Sequence, residues 1–319
     1  MQLRKLGNTD IGISPILMGT WQAGGDMWTD IDDAETSRAI QTAIDEGITT
    51  IDTAAVYGNG HSERVVGKAI GARRSEVVLA TKVFANELQH DQVIAACERS
   101  LENLGTDYID LYQIHWPSGS FGSAVVPIEE TMQALNKLKT QGKIRSIGVS
   151  NFSRGQLQEA MTYGDVVSLQ PPYSLLWRHV EADAMPLCTA QGLTILAYSP
   201  MAQGILTGKF GPDHRFKRGD HRRANRLFQE PLFGRVQNAL EALRPIAERH
   251  GITLGQLALA WVISQPGTCA IAGARNADQA RENARAARVS LPPEDLTEMD
   301  RISRMVTDQL DDNPVLWKW

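Results

Sequence analysis

The chain has 319 residues, 42% hydrophobic and 22% charged, with a formal net charge of −5. It is long enough to bury a large core, and its mild acidity argues against a nucleic-acid or membrane partner recruited by gross charge. No apolar run approaches the roughly 18 residues that would span a bilayer.

The first residues, MQLRKLGNTD, hold no apolar leader segment. Cys97, Cys188 and Cys269 are widely spaced and form no CxxC pair. They read as reduced, buried thiols acting as small hydrophobes. The expectation is a cytoplasmic protein.

In chain order, MQLRKLG, a turn at Asn8-Thr9-Asp10 and IGIS read as a β-hairpin. Short apolar, β-branched runs follow at 16–18, 49–51, 77–81, 111–114, 146–149, 168–169, 194–197 and 270–272. They have the character of strands buried on both faces. Between them lie helix patterns such as AETSRAIQTAIDEG, SERVVGKAIG, DQVIAACERSLENLG, IEETMQALNKLKTQG and GRVQNALEALRPIAERHG. Several end in Gly as a C-cap would, and Ser62 and Asp91 are candidate N-caps. Strands alternating with helices predict a parallel sheet, and eight of them predict a closed (β/α)8 TIM barrel. Without a linker or low-complexity segment, residues 1–319 are expected to form one domain.

Two segments break the rhythm. The stretch 201–233 is a long loop after the seventh strand, carrying Lys209, Arg215, Lys217, Arg218, Arg222, Arg223 and Arg226 against Asp213 and Asp220. Its excess positive charge suggests a cover for an anionic cofactor. The tail DDNPVLWKW places Trp317 and Trp319 where they would fold over a pocket or meet another subunit, which leaves homo-oligomerisation open.

Four polar residues sit at or just beyond strand ends: Asp52, Tyr57, Lys82 and His115. The strand-end residues Asp52, Lys82 and His115 are 30 and 33 residues apart, the length of one strand–helix–strand step. A barrel gathers its strand ends at one face, where catalysis sits. An acid, a phenol, an ammonium and an imidazole meeting there make a proton-transfer site. Taken singly, each has a plain structural reading; the joint spacing is what carries the assignment. The seven histidines show no metal-ligand spacing, and no metal is expected.

GITTIDTAAVYGNGHSERVVGKAI, IDLYQIHWP, GKIRSIGVSNF, YSPMAQGILTGK and GARNADQARENARAA occur in this order. With them the chain resembles the aldo-keto reductases along nearly its whole length. The resemblance implies a barrel that binds a nicotinamide cofactor without a Rossmann fold and reversibly reduces aldehydes or ketones to alcohols. Tyr57 is then the general acid, and Lys82 lowers its pKa by favouring phenolate. Asp52 supplies the counter-charge, and His115 orients the carbonyl through a hydrogen bond. Only one proton donor is needed, and the residues leave open whether Tyr57 or His115 serves for a given substrate.

Cofactor positions are also implied by the resemblance. Ser150, Asn151 and Gln170 match residues that hold the carboxamide. Tyr198 matches the aromatic stacked on the nicotinamide ring. Ser199, Pro200, Gly204, Leu206, Gly208 and Lys209 lie in the segment that wraps the pyrophosphate. Gly273, Arg275, Gln279, Glu282 and Asn283 belong to the part that reads the adenosine end. Gly19, Thr20, Trp21 and Asp52 line the same pocket. Many members of the family carry Arg or Lys where this chain has Gln279, but Arg275 can meet a 2′-phosphate, so NADPH is favoured over NADH. Trp21 and Trp116 are expected beside Tyr57 and His115 at the substrate, with Trp28, Tyr173 and Trp177 as further candidates for an aromatic pocket wall. The partner is a small-molecule carbonyl compound. The alternative is a regulatory, redox-sensing subunit that keeps the cofactor and turns over slowly; a phosphate-binding barrel isomerase or lyase would leave the four-residue set unexplained.

Overall fold

The computed structural model describes residues 1–26, 28–311 and 313. Strands β1 (Arg4–Lys5) and β2 (Gly12–Ile13) pair antiparallel as the expected hairpin. The next eight are β3 (Ile16–Gly19), β4 (Thr50–Asp52), β5 (Val78–Val83), β6 (Ile109–Ile114), β7 (Ile144–Ser150), β8 (Val166–Gln170), β9 (Thr194–Tyr198) and β10 (Thr268–Gly273). They run parallel in sequence order, and β10 closes onto β3. This is the predicted (β/α)8 barrel. Every residue of β6 is buried, as a strand between a filled interior and a helical coat requires.

The helices are α1 (Asp33–Asp45), α2 (His61–Ile70), α3 (His90–Leu104), α4 (Ile128–Thr140), α5 (Arg154–Tyr163), α6 (Met185–Gln191), α7 (Leu232–Arg249), α8 (Leu254–Ser264), α9 (Ala277–Ala286) and α10 (Pro293–Thr307). Their apolar stripes follow helical spacing: α1 buries Thr36, Ala39, Ile40, Ala43 and Ile44. The three cysteines are free and buried, on α3, α6 and β10. Both predicted N-caps shift. Gln89, not Asp91, caps α3, exchanging bonds with Gln92, and Asp91 sits in the first turn, where its charge suits the positive helix end. Gly60 stands at the α2 cap because Ser62 is buried and turned to the barrel wall.

The hairpin plugs the end of the barrel where the strands begin. Leu6, Ile11 and Ile13 pack with the barrel residues Leu17, Ala80, Leu111, Val167, Leu196, Cys269 and Ile271. The Gly7 amide donates to Thr194 Oγ1 at 2.7 Å. Gly7 has φ +54°, and a Cβ there would lie 2.5 Å from the Val167 carbonyl oxygen. Gly7→Ala is therefore expected to destabilise the fold by about 1–3 kcal/mol, lowering the thermal midpoint while leaving turnover per folded molecule intact. An unchanged midpoint would refute the plug's tight fit.

The long loop leaves β9, the seventh barrel strand, as expected. It contains short 3₁₀ turns at Ala202–Thr207, His221–Ala224 and Arg226–Phe228. Trp317 and Trp319, singled out from the sequence, lie outside the described residues. Among the described residues no helix is long and apolar enough to cross a membrane.

Candidate active site

The strand ends opposite the plug surround a cavity of about 630 Å³. Asp52 ends β4 and is almost fully buried. Its Oδ1 accepts from Lys82 Nζ at 2.6 Å, and its Oδ2 accepts from Gln170 Nε2 at 2.9 Å and from Gln113 Nε2 at 3.4 Å. Lys82 is fully buried on β5 and also donates to the Thr53 carbonyl at 2.8 Å. Burial lowers the Lys82 pKa, and the Asp52 carboxylate pulls it back up.

Tyr57 lies on the loop between β4 and α2. That loop comes so close to Gly24 that a Cβ there would sit 2.8 Å from the Tyr57 carbonyl carbon. The Tyr57 ring centroid is 5.3 Å from Lys82 Nζ and 5.6 Å from the His115 ring, edge-on at 80°. The four residues expected to meet do meet. The expected electrostatics do not follow. Burial raises the Tyr57 phenol well above its ordinary pKa, and Asp52 and Tyr198 add to the rise. The carboxylate that pairs with Lys82 at 2.6 Å thus opposes phenolate on Tyr57. Burial, and then the Lys82 charge, push His115 well below its ordinary pKa, so its imidazole is neutral at pH 7.

At the neighbouring strand ends, Ser150 Oγ donates to the Gln170 carbonyl at 2.7 Å, and Asn151 Nδ2 donates to the His115 carbonyl at 3.0 Å. The Tyr198 hydroxyl donates to Asn151 Oδ1 at 2.9 Å. These side chains are therefore ordered by one another around the cavity floor. Gly19, Thr20, Trp21, Trp116, Ser199, Pro200, Gly204, Lys209, Gly273, Arg275, Gln279, Glu282 and Asn283 also line the cavity. Of the sequence-predicted set, Lys82, Leu206 and Gly208 do not. Lys82 reaches the site through Asp52. Leu206 packs in the core, and a Cβ on Gly208 would meet Leu254 Cδ1 at 2.8 Å. Tyr173 and Trp177 are core residues too, the Tyr173 hydroxyl donating to Glu181 at 2.7 Å.

Gln22, Asp26, Phe84, Phe121 and Gln203 line the cavity without having been expected. Phe84 lies just beyond β5, and the strand-end rule that found His115 would have found it. Gln203 sits in left-handed backbone within the long loop and carries no comparable signal.

Lys209, Arg222 and Arg275 all border this cavity. Burial lowers the pKa of Lys209 and of Arg275, and the nearby Arg222 charge lowers both further. Arg222 is held by Asp220, with Nε to Oδ1 at 2.9 Å, and its guanidinium lies 5.0 Å from the Trp28 ring centroid. Crowded cations of this kind suit an anionic ligand. Three buried polar atoms on cavity residues, His115 Nδ1, Trp28 Nε1 and Gln203 Nε2, have no hydrogen-bond partner among the described residues. The cavity thus joins a cationic part to a floor of preordered amides and hydroxyls, and the residues present fit a nicotinamide dinucleotide.

This closed barrel, with four titratable residues and a cationic cavity at one mouth, is an NAD(P)H-dependent oxidoreductase by its relatives. The model of the aldo/keto reductase family matches residues 15–304, and the chain belongs to that family. It is 39% identical to the aldo-keto reductase YhdN of Bacillus subtilis (strain 168), over 88% of this chain and 86% of that one. It is 35% identical to an NADH-specific methylglyoxal reductase of Escherichia coli (strain K12), over 92% and 96%. An aldo-keto reductase from Klebsiella pneumoniae, solved in complex with NADPH, superposes with a TM-score of 0.79 at 30% identity, covering 100% of this chain and 99% of that chain.

Proposed function

We propose that the protein reduces an aldehyde or ketone to an alcohol, with NADPH as the electron donor and Tyr57 as the general acid. The observation that carries this reading is the buried Asp52–Lys82 pair beneath Tyr57 and His115, at the floor of a cavity that also carries three crowded cations. When bound, the cofactor supplies the hydride. Lys209, Arg222 and Arg275 would hold its phosphates, and Ser150, Asn151 and Gln170 its carboxamide. Gly19, Thr20, Trp21, Asp52, Tyr198, Ser199, Pro200, Gly204, Gly273, Gln279, Glu282 and Asn283 would complete its site.

Tyr57 keeps its proton at neutral pH because its burial disfavours phenolate, so it arrives at the carbonyl oxygen as a donor. Neutral His115 orients that oxygen with a second hydrogen bond. Trp21 and Trp28 line the cavity with ring centroids 5.3 Å apart, and His221 packs against both. Phe84, Trp116 and Phe121 form a second aromatic group, with Phe84 and Phe121 stacked at 5.4 Å. Such walls favour an apolar or aryl carbonyl compound over a small polar one.

NADPH is preferred because Arg275 offers a guanidinium to a 2′-phosphate. Gln279 is occupied locally, accepting from the Arg275 backbone amide at 2.9 Å. The Escherichia coli relative's use of NADH makes this the point to test. Titration followed by tryptophan fluorescence should show NADPH binding more tightly than NADH. Arg275→Met should weaken NADPH by roughly tenfold or more and NADH much less. Preference for NADH would move the cofactor assignment, and a folded protein that binds neither would sink the reading.

A further inference from the structure

Ser62 carries no part of the chemistry above, yet it bonds the Tyr57 loop and the residues that follow β3 and β4. It is fully buried in the first turn of α2. Its amide donates to the Tyr57 carbonyl at 3.2 Å. Its hydroxyl lies 2.9 Å from the Thr20 carbonyl oxygen, from Thr20 Oγ1 and from Thr53 Oγ1. Thr20 Oγ1 in turn donates to the Asp52 carbonyl at 3.0 Å. One assignment of protons satisfies the whole chain: Thr53 donates to Ser62, Ser62 to Thr20, and Thr20 to the Asp52 main chain. The Thr53 carbonyl meanwhile takes a bond from Lys82 Nζ. The next residue, Glu63, is also fully buried and accepts from Thr81 Oγ1 at 2.7 Å, beside Lys82 on β5. The first turn of α2 therefore grips three strands near their ends, and Ser62 also holds the Tyr57 loop.

We infer that Ser62 is a positioning residue for proton transfer, setting the offset of the Tyr57 phenol from the Asp52–Lys82 pair through its amide and hydroxyl together. A hydroxyl is required because the position must both accept and donate in a fully buried place. The inference rests on the proposed role of Tyr57.

The test is steady-state reduction of 4-nitrobenzaldehyde with NADPH by the full chain, with cofactor affinity read separately from tryptophan fluorescence. Ser62→Ala should lower kcat roughly ten- to hundredfold, with KM and the NADPH dissociation constant within about twofold of wild type. Ser62→Cys, of similar size and with a weak donor, should lose less, and it serves as the readout if the alanine variant does not fold. In a Tyr57→Phe background, Ser62→Ala should cost little further activity, because the group it positions is gone. A full and independent loss in that background overturns the inference, as do unchanged kcat in both variants or parallel losses of kcat and cofactor affinity. A folded wild type that neither binds NADPH nor reduces the aldehyde sinks the functional reading and this one with it. An active wild type indifferent to Ser62 sinks this one alone.

Discussion

Tyr57→Phe is expected to lower kcat for aldehyde reduction by roughly 10²–10⁴-fold, the range for losing a positioned proton donor, while NADPH still binds with near-normal affinity. The ring remains to pack against Trp21 and His115, so only the hydroxyl is lost. The phenol is buried close to Asp52 and Tyr198, both of which oppose phenolate. Ultraviolet titration should therefore find no phenolate attributable to Tyr57 below pH 10 in the folded protein. Above that pH an unfolded chain releases the proton that the folded one keeps. The unfolded state then binds fewer protons, and stability falls as pH rises. Near-normal turnover of the phenylalanine variant would remove Tyr57 as the acid and leave His115 as the candidate.

The second large effect is expected at Lys82. Among the described residues, Lys82→Met leaves the buried Asp52 carboxylate with only the amides of Gln170 and Gln113 as side-chain donors. Breaking such a pair from one side costs about 3–5 kcal/mol, which chemical denaturation would read directly. The double variant Asp52→Asn with Lys82→Met removes both charges and should recover much of that stability, yet its turnover should stay far below wild type. Recovery of activity along with stability would mean that the pair serves the fold and not the reaction.

The barrel was legible because parallel strands buried on both faces leave short β-branched runs, and the spacing of Asp52, Lys82 and His115 marks where three of them end. Ser150, Gln170 and Tyr198, implied by the family resemblance, end their strands around the same mouth. What the pattern could not convey is how neighbours from distant segments share charge. Lys82 near Tyr57 suggested a lowered phenol pKa. The direction reverses because the ring is desolvated and the Asp52 carboxylate beside Lys82 opposes phenolate, and neither fact is local in sequence. Ser62 read as a cap for a similar reason: its position one residue into α2 hides the strand ends it faces. Among the aromatics, Trp21 and Trp116 were found by their strand-end neighbours, whereas Tyr173 and Trp177 are core residues that look the same in sequence.

The hairpin that seals the far end of the barrel divides the molecule's labour along its axis. Residues such as Leu6 and Ile13 maintain the fold at one pole, and the proposed reacting groups occupy the other. Selection can act on the two poles almost independently. The rim loops that carry Trp28, Phe121 and Arg222 are free to diverge toward new carbonyl compounds, while the sealed pole preserves the scaffold on which each new specificity is tried.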